Sequence, residues 1–428
     1  MKTLEELKTE IAKYQYLEDT RFIDVALANV IATRLKIRDP LWVIFIGASS
    51  SGKTQLLRPL AMTGPDFIHS IDDLTENTFL SGFNQGKGKN TPVSLLNRIG
   101  SLGMLIISDL TGIFSKGSES KSSIIAQFRM IYDGEVTKHV GTMSKPLHWK
   151  GWIGILGGAT PAIYKHFEQS ASFGERFLYY RLHDYDRIKA ATRMMNRVNK
   201  TEVDKRLAEL YGEYIKGVCE HHVAVEDLDE ETVKVIINVS SCAELLRVAG
   251  QFDWKTEFLV DIPVPSMPMR TCGQLATLAC GLLNMKIAEE GKDAKLGPYE
   301  HETIEWCGYS LADDERRAIL KVFAGAPYDQ FLSTSVIGDI TGLPTAMVRK
   351  TLMIWSSIKI VSRGGDERGL TWRLNDKRIW ELARRMNHIT TEEKVVDRGV
   401  SSEEKDEISR AADEAFNQSF GGGENGMS

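Results

Sequence analysis

The run Gly47-Ala48-Ser49-Ser50-Ser51-Gly52-Lys53-Thr54 follows six apolar residues, Leu41-Trp42-Val43-Ile44-Phe45-Ile46, and precedes Gln55-Leu56-Leu57-Arg58. An apolar strand, a loop bounded by glycines and a helix start, in that order, form the setting of a phosphate-binding loop. The glycines let backbone N–H groups converge on one anion, and the helix N-terminus adds partial positive charge. In this frame Gly47, Ser49, Ser50, Ser51, Gly52 and Gln55 line the phosphates of a nucleoside triphosphate, Lys53 reaches the β/γ-phosphates, and the Thr54 hydroxyl holds Mg²⁺.

Such a loop needs a sheet behind it, and the chain supplies further apolar runs. They fall at 41–47, 103–109, 151–160 and 177–182, separated by stretches of helical period. Continuous apolar strands of this kind predict a parallel sheet covered on both faces, an α/β fold of P-loop type. Residues 1–38 read as a helical preface, 39–190 as the nucleotide core and 191–300 as a helical lid and spacer. No internal repeat is evident.

From 311 to 378 the pattern changes. Helices are predicted over 313–323, 333–341 and 345–358, followed by apolar runs at 360–363 and 370–374 around the turn Gly364-Gly365-Asp366-Glu367. Three helices and a glycine-tipped hairpin are the layout of an α+β winged helix-turn-helix domain. This stretch holds eleven basic and eight acidic residues, with Arg349 and Lys350 on the third helix and Arg363, Arg368 and Arg373 on the hairpin.

The chain's net charge of −5 hides this distribution, because Thr391–Ser428 alone carries ten acidic and four basic residues. The rest is near +1, and the acidic, glycine-ending tail is expected to be disordered apart from a short helix over 402–416. The five cysteines, Cys219, Cys242, Cys272, Cys280 and Cys307, contain no CxxC pair, and His221 and His222 lack a second ligand pair. Zinc and disulfide frameworks are therefore disfavoured, and a reduced, cytoplasmic protein without a membrane partner is expected. No apolar run reaches the ~18 residues of a membrane helix, and the acidic amphipathic start is unlike a signal peptide.

In P-loop enzymes the strand beside the P-loop ends in an acidic residue that holds Mg²⁺ through water. Asp109 fills that place after Met104–Ser108. The next residue is Leu110, where a water-activating Glu is usual, so Asp133 and Glu135 in Tyr132-Asp133-Gly134-Glu135 become the alternative carboxylates. Thr160 ends the third run, where it can orient an attacking water or simply cap the strand before Pro161. Arg176, in Phe173-Gly174-Glu175-Arg176-Phe177, opens the last run, and Arg181 closes it. Either could serve as an arginine finger or as a plain salt bridge.

Together these features resemble the AAA+ ATPases, with Walker A at Gly47–Thr54, Walker B at Ile106–Asp109, sensor 1 at Thr160 and the finger at Arg176 or Arg181. The chain is similar to uncharacterised ATP-binding proteins of phages and mobile elements through Ile107-Ser108-Asp109-Leu110-Thr111, Tyr132-Asp133-Gly134-Glu135 and Gly174–Arg181, and more loosely to minichromosome-maintenance helicases. That likeness implies a sensor-2 role for Arg270, a DNA-contacting hairpin over Gly134–Trp149 with Lys138, His139, Lys145 and His148, and a homo-oligomeric, hexameric ring. It also implies an ATP-hydrolysing DNA-handling protein, helicase-like or a translocase, acting in replication with partner proteins. DNA contacts would come from Lys138, Lys145, Arg349, Lys350, Arg363 and Arg368. Leu110 departs from the helicase pattern and motivates the alternative, a nucleotide-gated switch or loader with slow hydrolysis.

Overall fold

The computed structural model describes residues 2–392, apart from 17–18, 50, 65, 76, 81–93, 140–145, 169–175, 184–185, 187, 190–191, 193–194, 196–198, 221–225, 254, 256–257 and 366–368. The acidic tail expected from 391 onward thus lies almost wholly outside the described residues.

A five-stranded, all-parallel sheet organises the N-terminal half. Its strands are β1 (Trp42–Ile46), β2 (Ile68–Ile71), β3 (Leu102–Ile107), β6 (Trp152–Ala159) and β7 (Leu178–Arg181), in the order β2-β3-β6-β1-β7. Alternating side chains of β1 serve opposite faces. Trp42, Ile44 and Ile46 join one apolar cluster, while Val43 and Phe45 join the other. Burial on both faces explains why the sequence shows unbroken apolar runs rather than alternation.

The strand order corrects one expectation. The strand ending at Asp109 is not beside the P-loop strand: β3 pairs with β2 and β6, and β6 pairs with β1. Inserting β6 brings Thr160 between the loop after β1 and Asp109. Connections leave β1 toward one side of the sheet and β6 toward the other, so the crevice at their carboxyl ends is a topological switch point, where open α/β sheets bind ligands.

Helices α3 (Lys53–Ala61), α4 (Leu95–Ile99), α5 (Leu110–Phe114), α6 (Ser118–Tyr132) and α7 (Ile163–Glu168) connect the strands. The preface forms α1 (Leu4–Ala12) and α2 (Arg21–Arg34), with α2 buried along nearly its whole length. Asn29 Nδ2 donates to Ile155 O at 2.9 Å, fixing α2 to β6.

The stretch expected as a lid is a packed layer. It contains α8 (Lys200–Glu220), α9 (Glu230–Leu246), α10 (Met269–Glu290) and α11 (Pro298–Tyr309). Helix α10 crosses α2 so closely that a Cβ on Gly281 would sit 2.5 Å from Ala28 O.

Beyond it come α12 (Asp314–Gly325), β8 (Leu332–Ser333), α13 (Thr334–Thr341), α14 (Thr345–Ser357), β9 (Val361–Gly364), β10 (Thr371–Leu374) and α15 (Lys377–Glu392). The three strands form a sheet ordered β8-β10-β9, with β9 and β10 antiparallel. Strand β8 and helix α15 have no counterpart among the elements expected from the sequence. A separate hairpin pairs β4 (Glu135–Lys138) with β5 (Leu147–Lys150). Among the described residues no helix is long and apolar enough to cross a membrane.

Candidate functional site

The loop after β1 is shaped by its two glycines. Gly52 adopts φ 88°, a left-handed conformation that costs an L-residue strain. At Gly47 a Cβ would lie 2.6 Å from Ser51 Oγ and 3.2 Å from Leu182 Cδ1, so a side chain there would displace the Ser51 hydroxyl and crowd the residue after β7. Helix α3 then starts at Lys53, with no side-chain cap and no acidic residue in its first turn. Its N-terminal dipole is thus left to favour an anion.

Lys53 is folded into this loop. Its Nζ donates to Gly47 O at 2.8 Å, Ala48 O at 2.7 Å and Ser51 Oγ at 3.1 Å. Burial pulls its ammonium down to about 8, against the opposing pull of the nearby Asp109 carboxylate. A desolvated cation inside a glycine-shaped cradle fits a polyphosphate, which would supply the charge that burial withholds. Thr54 is exposed at the helix start and Ser49 is exposed on the loop, while Ser50 lies outside the described residues. Gln15, buried in the preface, donates from Nε2 to Gln55 O at 2.7 Å and braces the loop's helix from behind.

At the ends of β3 and β6 a second set of polar groups gathers. Asp109 caps α5, its Oδ1 accepting from Thr111 N at 2.9 Å and from Gly112 N at 3.3 Å. Thr111 Oγ1 in turn accepts from Thr160 N at 2.8 Å and lies 3.3 Å from Thr160 Oγ1. Asp109, Thr111 and Thr160 are therefore one network at the carboxyl edge. Thr111 is a site residue that the sequence reasoning misses; its signal is its place two residues beyond Asp109, where a helix cap presents a backbone N–H.

Leu110 is fully buried and rests on Gly157, where a Cβ would fall 2.3 Å from Leu110 Cδ1. The position beside Asp109 is thus part of the core. Asp72 and Asp73, just beyond β2, are further carboxylates at this edge; Asp73 pairs with Lys116 at 2.5 Å and Asp72 is exposed.

Three expected site residues lie elsewhere. Glu135 follows Gly134, whose carbonyl accepts from Gly151 N immediately before β6. That is the amino edge of the sheet, about 26 Å along the strand from Thr160 at ~3.3 Å per residue. Glu135 is therefore too distant to activate water at this chain's own P-loop; it sits 3.7 Å from His148 across the hairpin. Arg176 is also at the amino edge, 5% exposed, over the Tyr132 ring and 3.6 Å from Asp133. Burial, and then the neighbouring Arg270 charge, hold its guanidinium below the ordinary value. Arg270 opens α10 on this same edge, exposed and close enough to act on Tyr132 and Arg176, so it is not at the P-loop of its own chain.

Arg181 does reach the carboxyl edge, paired in register with Ile46, but its guanidinium is 2.6 Å from Asp314. Nearby, buried Asp19 accepts from Tyr180 OH at 2.7 Å and lies 3.1 Å from His183 Nδ1. Burial pushes its carboxyl up, yet His183 and then Tyr180 hold it below the ordinary value.

Of the basic residues assigned to DNA, Arg349 and Arg363 are exposed. Lys350 lies over the Phe252 ring at 5.7 Å, and Lys138 donates to Asn77 Oδ1 at 3.0 Å and Leu80 O at 3.1 Å. Lys145 and Arg368 lie outside the described residues. No group of three or more His, Cys, Asp or Glu is gathered as a metal set among the described residues.

Compared with known proteins, the chain matches no protein-family model and no curated sequence, so the functional reading rests on the sequence and the site's geometry.

Proposed function

We propose that this chain is a Mg²⁺-dependent ATPase of AAA+ kind that handles DNA, works as a homo-oligomer, and acts as a nucleotide-gated switch with slow hydrolysis. The observation that carries this reading is one edge of one sheet. Lys53 in its glycine cradle, Asp109, Thr111 and Thr160 converge there, while Leu110 is turned into the core.

Lys53 and the loop N–H groups would hold the phosphates of ATP; Thr54 and Asp109 would hold Mg²⁺, directly and through water. Bound Mg²⁺ would neutralise charge developing on the phosphates. Thr160, its backbone fixed by Thr111, would orient the attacking water. With the neighbouring position apolar, proton abstraction is left to a weaker or more distant base, and turnover is slow.

The C-terminal module supports the DNA part. Its order of helix, short strand, two helices and a β-hairpin, with β10 between β8 and β9, is compatible with a winged helix. Arg349 on α14 and Arg363 on the hairpin are exposed cations that would meet phosphate. A processive motor is the second reading, favoured by the β4–β5 hairpin at the amino edge.

Nucleotide binding with and without Mg²⁺, measured for wild type and Lys53→Ala beside duplex binding at low and high salt, tests the proposal. Tight Mg²⁺-dependent ATP binding lost in Lys53→Ala, with salt-sensitive duplex binding, is expected. Wild type that binds neither ligand overturns it.

A further inference from the structure

The strands flanking β1 leave the carboxyl edge by different routes, and both routes end on one residue. From β6 the chain passes Thr160 into α7, where Ile163 N donates to Thr160 O at 3.0 Å. The next residue, Tyr164, is buried and donates from its hydroxyl to Ser310 O at 2.8 Å. From β7, Arg181 N donates to Ser310 Oγ at 3.1 Å, and Arg181 O accepts from Trp306 Nε1 at 2.8 Å. Ser310 is fully buried at the corner between α11 and α12.

The same routes begin at the P-loop. Leu182 N donates to Ile46 O at 2.8 Å, the last residue of β1, and the Leu182 side chain lies against Gly47. The far end is equally tied. Asp314, the first residue of α12, pairs with both Arg181 and Arg317, and Arg316 Nη2 donates to Val248 O at 3.1 Å. Helix α12 is the first element of the C-terminal module. Polyphosphate at the P-loop would add negative charge one strand, ~4.8 Å, from β7 and compete with Asp314 for the Arg181 guanidinium.

We propose that the Ser310–Asp314 corner couples nucleotide occupancy at the P-loop to the nucleic-acid affinity of the C-terminal module. This rests on the reading above that the loop takes ATP and the module takes DNA. A Thr160 or Arg181 displaced by nucleotide pushes on Ser310 and Asp314 through directional contacts, buried at Tyr164–Ser310 and partly exposed at Arg181–Asp314, which reorients α12. Linkage makes the effect reciprocal: duplex changes nucleotide affinity by the same factor as nucleotide changes duplex affinity.

The test uses the full chain, Mg²⁺ with ATPγS or ADP, and a labelled 30-base-pair duplex. Tyr164→Phe removes the hydroxyl and keeps the ring; Ser310→Ala removes the acceptor for Arg181 N; Asp314→Asn removes the charge. Wild-type duplex affinity is expected to differ about tenfold between the two nucleotides. Each variant is expected to bind nucleotide alone and duplex alone within about twofold of wild type while its coupling factor falls toward one, most completely in Tyr164→Phe/Asp314→Asn. Variants that keep the wild-type factor overturn the proposal. Wild type that binds both ligands without coupling overturns it together with the gating part of the functional reading, and leaves ATP binding and duplex binding standing. Wild type that fails to bind nucleotide or duplex removes that reading and this proposal with it.

Discussion

Replacing Leu110 by Glu puts a carboxylate directly after Asp109, and its burial implies damage rather than gain. Leu110 is fully buried and fills the space above Gly157. Losing a buried leucine costs about 2–5 kcal/mol, and an unpartnered buried polar group adds about 1–3 kcal/mol. The sum at pH 7 is on the order of 5 kcal/mol, or at about 2 °C per kcal/mol a melting point lowered by roughly 10 °C. The penalty has a pH signature. Burial would raise the introduced carboxyl's folded pKa above its unfolded value near 4.3. The folded state then holds more protons, so the variant is least damaged below about pH 4.3 and loses stability as pH rises toward the folded pKa. Differential scanning fluorimetry from pH 5 to 8, with a phosphate-release assay, reads both effects; Leu110→Met should cost under about 1.5 kcal/mol. A Leu110→Glu protein that melts like wild type and hydrolyses ATP faster would place position 110 at the phosphates instead of in the core.

Other outcomes follow from the same geometry. Because Lys53 in the free protein titrates at about 8, it is charged below that pH and neutral above it. ATP affinity should therefore fall as pH rises through 8, by up to tenfold per unit, and binding near pH 8.5 should take up a proton, visible by calorimetry in buffers of different ionisation heat. Gly52→Ala, at φ 88°, should cost about 1–2 kcal/mol of backbone strain and weaken ATP binding without disturbing the C-terminal module. Thr111→Ala should lower kcat more than KM, because the hydroxyl holding Thr160 N is lost while Lys53 and its cradle remain; equal loss in both contradicts this. Arg349→Ala and Arg363→Ala should each reduce the salt slope of duplex binding by about one, whereas Lys350→Ala, already engaged with Phe252, should change it less.

The carboxyl edge is largely legible in the sequence. Gly47–Thr54, Asp109, Thr160 and Arg181 follow or end their strands, and in an all-parallel sheet residues at strand ends share one edge. The same rule exposes the misreadings. Glu135 precedes β6, which puts it at the amino edge; residue type alone points to it, without regard to strand direction. Arg270 depends on a lid, and α10 is instead a core helix packed on α2, a tertiary fact that helical periodicity cannot convey. Strand β2 escapes because Ile68-His69-Ser70-Ile71 is short and half polar, as an edge strand can be. That Leu110 faces the core depends on Gly157, a contact between distant segments.

Whether the P-loop times a switch is decided by steady-state ATP turnover measured with and without saturating duplex. Turnover on the order of 10⁻² per second or slower is expected in both conditions, within the range of intrinsic P-loop switches. Duplex-stimulated turnover of about ten per second or more would contradict it and establish a motor.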